Sequence, residues 1–285
     1  MTTGLSPRKA VEVGGVAFDT VMAGDGPVTV VFVNGLGAPL EEWALVAPVI
    51  AEHCRVVCYD RRLATAKGAA HHAAQVADDL QQLLATLGVS GPLLLVGHSW
   101  GGALIRRFRW EHPDHVVGMV YVDATHENIK GMHPTRFSRV LYAASTFPLR
   151  AGVIRRRLLH SLGFENLSPE LQAEVDNMTW IADGRTALAE YAGIGPSLTE
   201  LAEIAPDLPP VPTQVLLAAG RPGLLTKLAG KQLAAIRKVW EQAVSGRDDI
   251  TLQVVADSGH YISLDQPEAV ITAINDVLSR AQRKG

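Results

Sequence analysis

Leu94-Leu95-Val96-Gly97-His98-Ser99-Trp100-Gly101-Gly102 decides the reading of this chain, because it sets a serine among glycines at the end of an apolar run. Leu93 to Val96 is short, branched and apolar on both faces, as a buried parallel strand should be, and Ala103 onward reads as helix. Gly97-His98-Ser99-Trp100-Gly101 is then the turn between strand and helix. So sharp a turn strains the serine backbone, and glycines two before and two after it let strand and helix approach closely. The hydroxyl is presented above the sheet edge. Unpaired N–H groups and the positive dipole end of the following helix point at the same place and favour negative charge developing there. Ser99 is read as a nucleophile rather than a helix cap.

Composition narrows the classes around it. With 285 residues and 47% hydrophobic content, the chain can bury a full core. A net charge of -3 offers no field to recruit nucleic acid or an anionic membrane. The longest apolar runs fall well short of the roughly 18 residues a membrane span needs. The N-terminal MTTGLSPRKAVEV lacks the hydrophobic core of an export signal, so a cytoplasmic location is expected. Cys54 and Cys58 lie four apart on one predicted strand, roughly 13 Å from each other, and are read as buried free thiols.

Along the chain, Gly14-Gly15 closes a hairpin between Val11 to Val13 and Val16 to Val21. Strands then alternate with helices: strand Val28 to Val33, helix Leu40 to Ile50, strand Arg55 to Tyr59, helix Ala70 to Leu87, strand Leu93 to Val96, helix Ala103 to Glu111 and strand Val116 to Val122. Such alternation predicts a parallel sheet with helices on both faces. From Thr125 to about Pro206 only helical patterns occur: Phe137 to Ala144, Ser168 to Ile181, Thr186 to Ala192, and Ser197 to Ile204, the last opening on a capping box. Alternation resumes with strand Gln214 to Ala218, helix Thr226 to Val244, strand Thr251 to Val255 and helix Pro267 to Ala281.

The serine turn resembles the nucleophile elbow of the α/β-hydrolase superfamily, and the resemblance extends over nearly the whole chain. It implies an α/β-hydrolase fold, with a mostly parallel twisted sheet of about eight strands, a core of residues 1–124 and 207–285, and a helical cap of residues 125–206 inserted after strand 6. Asn34-Gly35-Leu36-Gly37, after the third strand, is similar to the superfamily's His-Gly-x-Gly oxyanion loop, with asparagine at the histidine position. By that likeness the Leu36 and Trp100 amides form the oxyanion hole. His260, after the last strand, stands where the superfamily keeps its general base, and serine needs an imidazole to take its proton. The acid departs from the commonest pattern, because the loop Ala219-Gly220-Arg221-Pro222-Gly223-Leu224-Leu225 has no carboxylate. Asp123, at the end of the sixth strand, takes the role, as in some members. Glu127, an acid elsewhere, or a Ser-His dyad stays open.

Other features read as support. His98 sits beside the nucleophile and is taken to back it rather than to move its proton. Asp60 is assigned to loop structure. The arginines 136, 139, 150, 155, 156 and 157 are assigned mostly to a solvated face, with one pocket arginine for an anionic substrate as the alternative. Met132, Phe137, Leu141, Tyr142, Phe147, Met178 and Trp180 are assigned to packing, some of them roofing the pocket. No histidine pair has a metal-site spacing, so neither metal nor cofactor is expected. The expected activity is a serine hydrolase acting on an ester, lactone or thioester of largely apolar character through an acyl-enzyme. A small-molecule acyl substrate is the only partner implied. Acyl transfer or cyclisation, a lyase, or non-hydrolytic ligand binding are the alternatives the fold allows.

Overall fold

Gly14 and Gly15 have φ of 56° and 79°, and this left-handed pair turns strand β1 (Lys9–Val13) back onto β2 (Val16–Ala23). The structure, a computed structural model, describes residues 8–61, 70–129, 142, 151–178, 184–221 and 224–283. After the hairpin come β3 (Thr29–Val33), β4 (Arg55–Tyr59), β5 (Leu93–His98), β6 (Val116–Val122), β7 (Thr213–Ala218) and β8 (Ile250–Val255). They form one eight-stranded sheet in the order β1-β2-β4-β3-β5-β6-β7-β8. The pairs β1/β2 and β2/β4 are antiparallel and every other pair is parallel. β4 lies on one side of β3 and β5 on the other, so the chain reverses direction across the sheet there. A crevice opens at such a switch point beyond the carboxyl ends of the strands.

Alternate strand residues face opposite layers, as the two-residue period requires. Val31, Val33, Leu95, Tyr121 and Val215 face α2 (Ala73–Thr86) and α3 (Trp100–Glu111), while Val30, Phe32, Leu94, Val96 and Val120 face the 40–50 segment and α9 (Pro267–Gln282). The remaining helices among the described residues are α1 (Ala47–Ile50), α4 (Gly152–Ser161), α5 (Pro169–Asn177), α6 (Arg185–Ile204), α7 (Leu224–Ala243) and α8 (Ile262–Asp265). Of these, α4, α5 and α6 lie between β6 and β7. Phe164, Leu167 and Val175 from the α4–α5 stretch pack with Ala44 and Leu264, whereas Ile194, Leu198 and Leu201 of α6 join the α2/α3 layer.

Three expectations are corrected. Leu40 to Ile50 is not one helix: Leu40–Trp43 is a 3-10 turn and α1 restarts at Ala47, because Pro48 lacks the N–H a continuous helix would bond back to residue 44. The helices expected at Thr186–Ala192 and Ser197–Ile204 are one, α6, running through Pro196. Close packing overrides the proline, since Gly193 lies against the His71 carbonyl where a Cβ could not fit. Ser197 does cap a helix, but another one: its Oγ accepts the Ala73 amide at 2.9 Å, the first residue of α2. Helix α4 had no counterpart in the sequence reading, because Val153, Ile154 and Leu158 face solvent and give no buried stripe. The expected helix at 137–144 lies outside the described residues apart from Tyr142, as do Met132, Phe137, Leu141, Phe147, Trp180 and arginines 136, 139 and 150.

Candidate active site

Ser99 sits between β5 and α3 at φ 51°, ψ -118°, a strained conformation for a non-glycine residue. Surrounding main-chain bonds hold it there: its N–H donates to the Val122 carbonyl at 3.0 Å, and its own carbonyl accepts from Gly102 at 3.1 Å and Thr125 at 2.8 Å. Gly101 is required by close approach, because a Cβ there would fall on the Val33 carbonyl. The elbow is thereby pressed against the loop after β3.

His260 and Asp123 come from the same carboxyl edge. His260 Nε2 lies 2.9 Å from Ser99 Oγ, and its Nδ1 lies 2.6 Å from Asp123 Oδ2. The other Asp123 oxygen accepts the Ala218 amide at 3.0 Å, so the carboxylate is fixed on the β7 end and aimed at the imidazole. Asp123 itself has φ of 42°, a region aspartate tolerates better than most residues. Glu127 does not reach His260: both its oxygens are taken by Arg106, at 2.6 and 2.8 Å. That pairing also holds its carboxyl below the ordinary range despite burial.

The Leu36 and Trp100 amides carry no hydrogen bond to another described residue. Buried polar groups brace the loop that holds Leu36. Asn34 donates through Nδ2 to the Tyr59 and Ala38 carbonyls at 3.1 and 3.2 Å and accepts from Trp43 Nε1 at 2.9 Å. Asp60 Oδ1 accepts the Leu40 amide at 2.7 Å and Oδ2 accepts from Arg8 at 2.6 Å, so its work is within the loops. Arg61 donates to the Asn34 and Gly35 carbonyls at 2.7 and 2.5 Å and to both oxygens of Glu190 in α6, at 2.6 and 2.9 Å. Glu190 in turn accepts the Gly37 amide at 2.8 Å. The Arg61–Glu190 pair therefore ties the segment between β6 and β7 to the Leu36 loop.

A second buried pair holds the same loop at Gly35. His98 Nδ1 is 3.0 Å from Glu42 Oε2, and His98 Nε2 is 2.9 Å from the His260 carbonyl. The other Glu42 oxygen accepts the Gly35 amide at 3.0 Å. Burial by itself would lower the His98 pKa, but the Glu42 carboxylate outweighs it and holds the imidazole above its ordinary value. Sequence reading assigned His98 a backing role and missed Glu42, Arg61 and Glu190. The available signal was charge inside an apolar stretch, as in Leu40-Glu41-Glu42-Trp43-Ala44-Leu45-Val46, since a charge buried among apolar neighbours must be paired.

Next to Ser99 is a cleft of about 390 Å³, to which Ala124, Thr125, Ile129, Ala218, Leu233 and Ile236 contribute along with Asp123 and His260. No arginine or lysine lines it among the described residues. Arg156 instead pairs with Asp176 at 2.6 Å, and Arg155 bonds the Asp176 carbonyl. Among the described residues no three His, Cys, Asp or Glu side chains converge as a metal site would need, and no helix is long and apolar enough to cross a membrane.

Comparison with known proteins identifies the family. Residues 30–273 match the alpha/beta hydrolase family. A fluoroacetate dehalogenase from a Burkholderia species is 36% identical over 124 residues, 41% of this chain and 40% of that enzyme. The chain thus aligns with well under half the length of that relative. Among solved structures, a thermophilic esterase from Thermogutta terrifontis superposes with a TM-score of 0.70 at 20% identity, over 97% of this chain and 99% of that one. A variant epoxide hydrolase from Vigna radiata does so at 0.72 and 16% identity, over 96% and 98%. At those identities the likeness is one of fold. With the family matched over most of its length, the chain belongs to the alpha/beta hydrolase family.

Proposed function

We propose that this protein is a serine hydrolase that cleaves a carboxylic ester, lactone or thioester bearing an uncharged, apolar acyl group. The observation that carries the proposal is the pair of contacts made by His260, 2.9 Å to Ser99 Oγ and 2.6 Å to Asp123 Oδ2. In this reading Ser99 attacks the acyl carbon, and His260 takes its proton and returns it to the leaving group. Asp123 orients the ring and stabilises the imidazolium. The Leu36 and Trp100 amides bind the oxyanion, each contributing roughly 3 kcal/mol to the transition state. An acyl-enzyme forms, and water activated by His260 resolves it. The segment between β6 and β7 acts as a cap, and its Ile129 joins the apolar lining.

The relatives' names include dehalogenase and epoxide hydrolase, and the nucleophile separates those chemistries from this one. A carboxylate attacking an alkyl carbon forms an ester, which water can open at the carbonyl. A serine attacking the same carbon forms an ether, which has no carbonyl to open and would end turnover. Ser99 therefore favours acyl substrates. A cleft lined, among the described residues, by apolar side chains and the Asp123 carboxylate but by no arginine or lysine favours an apolar acyl chain, because a carboxylate buried there would lose its hydration without a paired cation in return.

A series of p-nitrophenyl esters of increasing acyl length, with succinyl-type anionic analogues, tests the proposal. Apolar acyl groups should turn over and the anionic analogues should be poor substrates. Failure to hydrolyse any ester in the series would overturn the assignment.

A further inference from the structure

Three candidates stand outside the proposed chemistry: the basic, partly apolar exposed face of α4, the arginine-lined hollow around Arg247 and Arg280, and the buried Glu42–His98 pair. Arg155 and Arg156 on α4 are engaged with Asp176, and Arg247 is engaged with Asp249, so neither surface offers a set of free cations. The buried pair carries further.

Nε2 of His98 faces the His260 carbonyl, which can only accept, so Nε2 must carry hydrogen. Nδ1 faces Glu42 Oε2, so one proton lies between that nitrogen and that oxygen. Glu42 Oε1 is already committed to the Gly35 amide. Both side chains are fully buried, and water cannot substitute for any of these bonds. The groups around them are Asp123 at the end of β6, Arg61 beside Glu42, and the His260 and Tyr261 rings, 4.6 and 4.7 Å from the His98 ring. The pair thus spans from the Leu36 loop on one side to the main chain of His260 on the other.

We infer that Glu42 and His98 are positioning residues of the active site, a single proton-holding unit that fixes the His260 main chain and the Gly35 amide relative to each other. The inference rests on the hydrolase reading above for its kinetic consequence. Loss of the shared proton leaves two bad choices. If Nε2 keeps its hydrogen, the Nδ1 lone pair faces a carboxylate. If Nδ1 keeps it, the Nε2 lone pair faces a carbonyl. Either way one anchor is lost, and because Glu42 holds the His98 imidazole above its ordinary value, that loss comes as pH rises through the raised value.

Two variants separate the parts. Glu42→Gln keeps every bond without a titrating proton: its amide oxygen accepts from Gly35, its amide nitrogen donates to Nδ1 of a neutral His98, and Nε2–H stays on the His260 carbonyl. His98→Asn keeps a donor near Glu42 and removes the bond to His260. The experiment records kcat and KM for a p-nitrophenyl ester against pH, and the low-field NMR resonance of the proton between His260 and Asp123.

His98→Asn is expected to lower kcat on the order of tenfold to a hundredfold with a smaller change in KM, and to shift or broaden that resonance. Glu42→Gln is expected to retain most of the wild-type kcat at neutral pH and to lose the alkaline decline. A His98→Asn protein with wild-type kcat and an unmoved resonance would overturn the inference, as would a Glu42→Gln protein with the wild-type alkaline limb. Should His98→Asn fail to fold, the alkaline limb of Glu42→Gln decides. Should the wild type hydrolyse no ester, the hydrolase reading falls by itself, and the resonance then judges the pair alone.

Discussion

Two histidines with rings 4.6 Å apart live in opposite environments. The His260 side chain is 46% exposed and meets its partners at the mouth of a cleft, whereas His98 is 1% exposed and paired with a Glu42 that is fully buried. Arg61 and Glu190, at 4% and 1%, repeat the buried arrangement against the Gly35 carbonyl and the Gly37 amide of the Leu36 loop. Groups that meet a substrate must stay open to it, so packing cannot hold them. They are held instead by the loops they sit on, and those loops are fastened by pairs of polar side chains that are almost wholly buried. The proposed reactive histidine and a buried anchoring one thus lie with their rings 4.6 Å apart. Buried charge is costly unless paired, so the buried pairs carry stability at risk and the groups at the cleft carry little.

The contrast can be broken from either side. Ser99→Ala is expected to reduce turnover on the order of 10⁶-fold while leaving the urea unfolding midpoint at or above wild type, because a strained residue loses only its hydroxyl. Asp123→Asn should cost on the order of 10⁴ in kcat, again with little change in midpoint, through the wrong tautomer of His260. A large midpoint shift in either would mean that the groups at the cleft are structural after all. Arg61→Met should do the reverse, leaving Glu190 buried without its partner and losing about 3–5 kcal/mol in equilibrium unfolding. Gly101→Ala, which forces a methyl onto the Val33 carbonyl, should cost about 1–3 kcal/mol and disturb the elbow as well.

The smallest expected effect concerns pH. Burial raises Glu41 to about 7 and Asp60 to about 6, against the arginine they share. Folded-state values above the unfolded ones mean that the native protein binds more protons across pH 4–7, so this cluster's contribution to stability declines as pH rises through that window. His98 acts with the same sign at higher pH: its contribution is complete below the unfolded value of about 6.5 and is lost as pH rises through its raised folded value. Glu41→Gln should flatten the slope of unfolding free energy between pH 4 and 7 relative to wild type.

What the sequence made legible follows the same division. The central strands are apolar runs and the outer ones alternate apolar with polar residues, all bounded by turn residues, so all eight could be read with edges within a few residues. Ser99, His260 and Asp123 could be singled out because each ends or follows an expected strand at a place where the α/β-hydrolase resemblance puts a catalytic group. The buried pairs could not be read that way. Glu190 reaches Arg61 from 129 residues away, and nothing local in Ala187-Leu188-Ala189-Glu190-Tyr191 announces a partner. Pro196 misled for a related reason, since its local penalty is overridden by the packing of Gly193 on His71, a contact between elements distant in the chain.

The central claim is that Ser99 forms an acyl-enzyme, and rapid mixing with an apolar p-nitrophenyl ester, followed by mass spectrometry after a fluorophosphonate, tests it most directly. The account predicts a burst of p-nitrophenol approaching one equivalent per chain and a single fluorophosphonate adduct on the peptide carrying Ser99, both absent in Ser99→Ala. A wild-type protein with no burst and an unlabelled Ser99, or one whose burst survives in Ser99→Ala, would contradict it.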